Sequence, residues 1–192
     1  MKKTMILSAI LMMTAAGLFA NDYGARAALE EETFTLDDML LYALQDEHLA
    51  LAEYEAIMAA YDVTRPYSNI AKAEETHIGY VEELYKELDK NIPAVSTEGK
   101  TILPASLEEA ARIGVQAELD NIAMYEKFLA GDLPENVREV FVDLKESSEK
   151  HLSAFERQLE QGSFGQGKGR AELGEDFEGR GRNRTDDHHD HE

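Results

Sequence analysis

Apolar side chains recur at helical spacing in four long segments of this chain. They return every three to four residues within 36–61, 67–90, 107–130 and 134–161. A period near 3.6 residues places these side chains on one face of a helix, so each segment is predicted to be an amphipathic α-helix. No segment of similar length alternates like a strand, and the sequence therefore predicts an all-α fold.

The boundaries of these segments carry residues that begin and end helices. Capping boxes are predicted where Thr35 precedes Asp38 and where Ser106 precedes Glu109. Gly131 and Gly162 suit C-terminal caps. Proline is excluded from helix interiors. Three of the four prolines of the chain lie between segments, at Pro66, Pro93 and Pro104, and Pro134 can open the last helix.

The three connections differ in length, and this predicts a topology. Two are short, whereas the connection between helices 2 and 3 runs from about residue 91 to residue 104. Short links join antiparallel neighbours, and a long link can cross the length of a bundle. We therefore expect an antiparallel four-helix bundle over residues 35–161, with one long connection between its second and third helices.

Five polar residues lie within the apolar stripes of the predicted helices: Glu47, Glu74, His77, Glu118 and His151. Folding would bring these side chains into one interior. An ionised carboxylate is poorly solvated inside a protein and must be paired, protonated or bound to a cation. The pattern indicates a metal site, and the alternative is a buried polar network in which the carboxylates satisfy imidazoles without any ion.

The chain also repeats part of its pattern. Glu47 is followed seven residues later by Tyr54, and Glu118 is followed seven residues later by Tyr125. The distance from the leading glutamate to the closing histidine is 30 residues in the first half, at His77, and 33 in the second, at the histidine of the fourth helix. This repetition predicts two related helical hairpins.

These residues resemble the ferritin-like superfamily, which includes rubrerythrins and bacterioferritins. Bundles of that class present Glu from two helices and Glu-x-x-His from the other two, and bind paired iron or manganese ions. The segments QDEHLALAEY, SNIAKAEETHIGYVEELY and SSEKHLSAF are most similar to an uncharacterised ferritin-like domain family of bacteria and archaea. The resemblance covers roughly residues 35–161 and implies a ferritin-like four-helix bundle.

The resemblance implies a ligand set that can be carried over position by position. Metal contacts would come from the five polar residues Glu47, Glu74, His77, Glu118 and His151, with Glu74 and one other Glu bridging. Tyr54 and Tyr125 would orient ligand carboxylates, or be core aromatics with satisfied hydroxyls.

One position departs from the superfamily motif. Ser148 occupies the position of the fourth helix's carboxylate, which would leave a coordination position open. Glu149 is adjacent but turned by about 100° on a helix. Three carboxylates do not balance two divalent ions, so one ion or two remain alternatives. His48, one residue from Glu47, is interpreted as a surface imidazole.

The two ends of the chain differ in composition from the helical region. Residues 1–20 have the basic start, apolar run and small final residues of a secretory signal peptide, with cleavage expected after Ala20 or Ala16. Residues 21–34 form an N-terminal extension, of which 21–32 are expected to be loosely structured. Residues 162–192 are rich in glycine and charge and are expected to be disordered. Their last residues are DDHHDHE, in which His188, His189 and His191 offer a weak metal site. The alternative is that this segment merely aids solubility.

Composition narrows the range of functions. The chain has no cysteine, which excludes disulfides, thiolate metal sites and thiol catalysis. Any metal must therefore be held by oxygen and imidazole nitrogen. The net charge of −20 repels nucleic acid and anionic lipid. The N-terminal apolar run is short for a membrane span, so an exported periplasmic or secreted product without stable membrane insertion is expected.

Three functions follow from these observations. The first is an exported oxidoreductase that uses one or two iron or manganese ions to reduce peroxide or oxygen, or to oxidise ferrous iron. No four-cysteine rubredoxin-like module is present, so electrons would come from the metal substrate or from an unidentified donor protein. The second is a metal-binding or metal-buffering protein of the cell envelope without turnover. The third is a structural or partner-binding bundle, and a homodimer is compatible with all three.

Overall fold

The computed structural model describes residues 23–162 and residue 164. Within this part of the chain there are five α-helices and no strand, which confirms the predicted all-α class. The four long helices begin and end within about three residues of their predicted limits. The helices are α1 Gly24–Glu30, α2 Leu36–Tyr61, α3 Tyr67–Glu87, α4 Leu107–Leu129 and α5 Glu135–Gln161.

The caps predicted at Thr35, Ser106 and Gly162 are present with one adjustment, whereas Gly131 does not adopt the left-handed conformation of a glycine cap. Thr35 Oγ1 accepts from Asp38 N at 3.2 Å while Asp38 Oδ2 accepts from Thr35 N at 2.9 Å, which closes the capping box of α2. At α4, Ser106 Oγ accepts from Glu109 N, but the Glu109 carboxylate accepts from the N–H of residue 105 instead of that of Ser106. Gly162 ends α5 with a φ of 58°, the left-handed conformation that favours glycine.

The helices pack as two pairs. α2 lies along α3, α4 lies along α5, and the pairs meet through contacts between α3 and α5 and between α2 and α4. Residues 88–106 connect the two pairs. The first helix of each pair carries one of the predicted Glu-to-Tyr repeats, and the second carries a predicted histidine.

Helix α1 corrects part of the expectation that residues 21–32 are loosely structured, because residues 24–30 are helical. It packs on α2 and α4, and Ala25, Ala28 and the preceding Tyr23 are buried. A seven-residue helix is marginal in isolation, so tertiary contacts at both of its ends stabilise it. Asp46 Oδ1 accepts from Ala25 N at 2.7 Å, and Lys127 Nζ donates to backbone carbonyls at the C-terminal end of α1. Composition could not reveal these contacts.

The core consists of two apolar clusters with a polar layer between them along the helices. One cluster includes Leu44, Val81, Phe128 and Phe141, and the other includes Tyr54, Tyr67 and Phe155. The candidate ligands occupy intermediate positions on all four long helices. Close-packed apolar side chains on both sides hold the polar layer in place and keep bulk water out.

Gly114 of α4 lies directly against the aromatic ring of Phe155 on α5. A Cβ at this position would lie 2.9 Å from two ring carbons of Phe155, and that ring is fully buried between Tyr54 and Tyr67. We predict that Gly114→Ala lowers the free energy of unfolding by about 1–3 kcal/mol because the ring cannot move away. Urea denaturation measures the change.

A matched substitution separates overpacking from helix propensity. Gly79 is also inside a helix, but a Cβ there would have no neighbour within 4 Å. Alanine is favoured over glycine in a helix by up to about 1 kcal/mol, so Gly79→Ala should stabilise the protein slightly. Equal effects of both substitutions would contradict the packing argument.

Several predicted features lie outside the described residues. These are the signal peptide of residues 1–20 with both candidate cleavage positions, and nearly all of the tail, including His188, His189 and His191. Among the helices that are described, none is both long enough and apolar enough to cross a membrane.

Candidate metal centre

The structure brings all five predicted ligand residues into one buried layer. Their relative exposures lie between 2% and 7%, low enough that water cannot solvate the charges. Each long helix contributes at least one of them, and α3 contributes two. The residues are Glu47, Glu74, His77, Glu118 and His151. That they bind metal remains a prediction.

The first group of three joins α2 and α3. His77 Nδ1 lies 2.8 Å from Glu74 Oε2 and 3.1 Å from Glu47 Oε2. One ligand atom from each of the three residues lies within 4.8 Å of the others. Two carboxylate oxygens and one imidazole nitrogen converging at this separation can contact a common divalent ion.

The second group of three joins α3, α4 and α5. His151 Nδ1 lies 3.1 Å from Glu74 Oε1 and 3.6 Å from Glu118 Oε1, and these ligand atoms also lie within 4.8 Å of one another. Among the described residues, His151 Nδ1 finds no partner with hydrogen-bond geometry, although it is buried. A buried nitrogen that faces two carboxylates without a hydrogen bond fits a place where a cation would complete the contacts.

Glu74 belongs to both groups. Its Oε2 faces His77 and its Oε1 faces His151, so its two oxygens are directed to two neighbouring sites. The histidine rings lie nearly parallel, with centroids 5.9 Å apart. A carboxylate with one oxygen on each site is the arrangement by which two ions share a bridging ligand. The side chains present therefore fit one or two divalent ions.

The two tyrosines of the sequence repeat contact these carboxylates crosswise. Tyr54 of α2 donates to Glu118 Oε1 of α4 at 2.7 Å, and Tyr125 of α4 donates to Glu47 Oε1 of α2 at 2.7 Å. Each tyrosine thus holds the carboxylate that belongs to the other half of the repeat. Burial, together with the nearby carboxylates, raises the pKa of both phenols well above the usual value, so both remain hydrogen-bond donors.

The carboxylates keep the histidines protonated in the metal-free protein. Burial alone would lower the pKa of His77, but Glu47 and Glu74 outweigh it and raise that pKa to about 10. For His151, burial is likewise outweighed by Glu118 and Glu74, and its pKa rises to about 9. Two imidazolium groups thus supply the positive charge that a metal ion would otherwise supply.

The carboxylates themselves have different environments. Burial and then the charge of Glu74 raise the pKa of Glu47 to about 7. Burial acts on Glu74 in the same direction, but its contacts with His151 and His77 prevail and lower its pKa. Glu74 is accordingly held more strongly than Glu47 in its ionised, ligand-competent form.

Sequence reasoning missed two residues beside the site, Asp46 and Asn121. Asn121 Nδ2 donates to Asp46 Oδ2 at 2.6 Å, and Ser148 Oγ donates to Asn121 Oδ1 at 2.7 Å. Burial raises the pKa of Asp46 to about 7. Asn121 shares the helical row of Glu118 and Tyr125 and could have been found by that spacing. Asp46 gave no such signal because its partner on α1 is remote in sequence.

Ser148 and two neighbouring candidates can now be assigned. The Ser148 hydroxyl is engaged by Asn121 and by the Leu144 carbonyl oxygen at 3.1 Å, so no carboxylate occupies the fourth motif position. Glu149 does not substitute for it, because its side chain is exposed and paired with Lys145 at 2.5 Å. His48 belongs to neither group of ligand atoms.

Comparisons with known proteins support the fold more than the chemistry. No family model and no curated protein matches this chain. A crystal structure of a hypothetical protein from Methanococcus jannaschii DSM 2661 is similar over 72% of this chain and 90% of its own, with a TM-score of 0.58 and 22% sequence identity. This similarity shows that an uncharacterised archaeal protein shares the fold.

Proposed function

We propose that the protein is a ferritin-like four-helix bundle that binds iron or manganese in the buried layer between its helices. The observation that carries the proposal is Glu74, whose two oxygens serve two groups of ligand atoms. Oxygen and imidazole ligands without any thiolate suit these metals. In the metal-free alternative, protonated His151 would pair with Glu74 and Glu118 in place of an ion, and metal titration separates the two cases.

Each residue of the site has a role in this proposal. Glu74 would serve both metal positions, Glu47 and Glu118 would serve one position each, and His77 and His151 would hold the ions through Nδ1. Tyr54 and Tyr125 donate to the terminal carboxylates and hold them in the geometry that a ligand needs. A bound iron or manganese pair would supply one-electron redox chemistry, and the apolar clusters on both sides would exclude competing water.

The leading activity within this class is oxidation or reduction of a small substrate, with peroxide, oxygen or ferrous iron as candidates. The test begins with ferrous iron added without oxygen, followed by admission of oxygen while absorbance and oxygen uptake are recorded. We predict uptake by the intact chain and a loss of at least about 10-fold in His77→Ala, because removing a ligand costs at least as much as removing its supporting group.

A histidine outside the site provides the control for this test. His48→Ala should behave as the unaltered chain does, since His48 is part of neither ligand group. Truncation after Gly162 removes the three tail histidines. If the truncated chain alone loses metal, the site lies in the tail. If His48→Ala and His77→Ala take up oxygen equally, the buried layer is not the metal centre.

A second candidate is metal binding without turnover, in buffering or delivery. Two neutral side chains, Ser148 and Asn121, stand in place of a fourth carboxylate and favour this candidate. Three carboxylates do not balance the charge of two divalent ions, so a second ion would be held less tightly. Calorimetric titration with manganese, iron and zinc separates the candidates. Tight stoichiometric binding with no oxygen uptake would assign the buffering function.

We also propose that the protein acts outside the cytoplasm, after removal of residues 1–20. The basic residues Lys2 and Lys3 before an apolar run support this location. The mass of the chain recovered from an exporting host tests it, since cleavage after Ala20 or after Ala16 gives distinct masses.

A further inference from the structure

A continuous hydrogen-bond chain links helix α1 to three of the helices that carry candidate ligands. Ala25 N at the start of α1 donates to Asp46 Oδ1 at 2.7 Å, and Asn121 Nδ2 donates to Asp46 Oδ2 at 2.6 Å. Asn121 Oδ1 then accepts from Ser148 Oγ at 2.7 Å. Four helices are joined in this way, namely α1, α2, α4 and α5.

Three of the four residues in this hydrogen-bond chain stand close in sequence to a candidate ligand. Asp46 precedes Glu47, Asn121 is three residues after Glu118, and Ser148 is three residues before His151. A residue three positions away in a helix lies on nearly the same face. The chain therefore fixes, relative to one another, the three helix segments that carry ligands outside α3.

The packing around Gly24 shows that this docking is tight. Gly24 has a φ of +57°, and a Cβ on it would collide with Asp46 Oδ1 and lie 3.1 Å from Asp46 Cα. Gly24 N also donates to Gln45 Oε1 at 3.1 Å. Only glycine allows α1 to approach α2 this closely in this conformation.

From these contacts we propose that Asp46 is a positioning residue of the metal centre, which α1 and Asn121 hold so that Glu47, Glu118 and His151 converge on the ions. This inference rests on the proposed metal-binding function and extends it to helix α1. Asp46 contacts no ion in this scheme. It acts through hydrogen bonds to two other helices, in the way that outer groups orient metal ligands elsewhere.

The first test compares two substitutions of Asp46 by manganese titration of the full chain. Asp46→Ala removes both acceptors and should weaken binding by about 10- to 100-fold. Asp46→Asn should retain most of the affinity. The oxygen of an amide at position 46 can still accept from Ala25 N, and its nitrogen can donate to Asn121 if the Asn121 amide turns over. The turned Asn121 amide then donates to the Ser148 hydroxyl, which in turn donates to the Leu144 carbonyl oxygen.

This pair of variants separates positioning from charge. Both remove the negative charge of Asp46, so a purely electrostatic contribution predicts equal losses. Rescue by asparagine supports the hydrogen-bond chain, and equal losses in both variants overturn it. The visible absorption of bound cobalt gives a second measure, because its band positions report ligand geometry, which a general loss of stability does not change.

The second test perturbs the same chain from α1, without altering Asp46. Gly24→Ala should displace α1 and reproduce the loss of affinity and the changed cobalt spectrum of Asp46→Ala. Gly79→Ala is the matched control, since a Cβ there meets nothing within 4 Å, and it should bind as the unaltered chain does. Circular dichroism checks that α2 to α5 remain helical in all variants.

The outcomes distinguish this inference from the function on which it rests. If the unaltered chain binds no manganese, iron or cobalt, the proposed function fails and the positioning role fails with it. If the unaltered chain binds metal and both Asp46→Ala and Gly24→Ala bind it as tightly as the unaltered chain, the metal centre stands and the role of Asp46 is overturned.

Discussion

Replacing Glu74 by glutamine is expected to abolish binding at both metal positions, the largest effect of any single substitution at the site. Glu74 supplies an oxygen to each group of ligand atoms, and an amide removes its charge while keeping its size. We expect affinity to fall by more than about 100-fold, since loss of a mere supporting group already costs about 10- to 100-fold. Calorimetric titration with manganese, with stoichiometry from elemental analysis, measures the loss.

The other carboxylates should behave differently from Glu74. Glu47→Gln should impair only the position next to His77, and Glu118→Gln only the position next to His151, because each residue belongs to one group. Glu75→Gln is the matched control, with the same chemistry on an exposed neighbour. Retention of two ions by Glu74→Gln, or equal losses in all three ligand variants, would contradict a shared bridging carboxylate.

The metal-free protein is expected to lose stability as the pH rises from about 6 to about 9. The folded state raises the pKa of His77 to about 10 and that of His151 to about 9, from an ordinary value of 6.5. In this window the folded chain binds more protons than the unfolded chain, so the free energy of unfolding falls with increasing pH. Its loss should reach at least about 2 kcal/mol, because one pKa unit corresponds to about 1.4 kcal/mol.

Two further groups define the acidic side of this profile. The raised pKa of Glu47 adds a decrease in stability between its ordinary pKa of 4.5 and about 7. The lowered pKa of Glu74 acts in the opposite direction, because its contribution to stability is present above the ordinary pKa of 4.5 and is lost as the pH falls below that value. Stability of the metal-free chain should therefore be greatest in mildly acidic solution, which urea denaturation at a series of pH values can measure.

Bound metal should counteract this loss of stability with increasing pH. An ion binds the neutral imidazole nitrogen and displaces its proton, so apparent affinity increases with pH and binding releases protons. A ligand specific for the folded state raises its stability, and the rise in melting temperature on adding manganese should be larger at about pH 8 than at about pH 6. A metal-free chain that gains stability over this interval, or a metal effect independent of pH, would contradict protonated histidines in the empty site.

The sequence-based predictions were accurate for features that depend on residues close in sequence, and they failed for features that depend on contacts between residues distant in sequence. Helices α2 to α5 were predicted closely because their periodicity and the cap at Thr35 are local properties of the sequence. The end of α3 was overestimated, since Asp89 adopts a left-handed conformation that spacing does not reveal. Helix α1 was missed because Asp46 and Lys127 stabilise it from distant positions.

The same distinction applies to the candidate site. Its five polar residues were visible because each interrupts an apolar stripe. The crossed pairing of Tyr54 with Glu118 and of Tyr125 with Glu47 was not visible, because a repeat within each hairpin does not say which half a hydroxyl will contact. The link from Ser148 through Asn121 to Asp46 was hidden for the same reason.

The amino-acid sequence by itself determined the helical class, the four long helices and the five acids and imidazoles that folding must bury, because burial is driven by local apolar periodicity. Only the tertiary structure decided that Glu74 serves both groups of ligand atoms and that α1 is fastened beside them. These features depend on distances between residues from separate helices, which are fixed when the helices pack against one another.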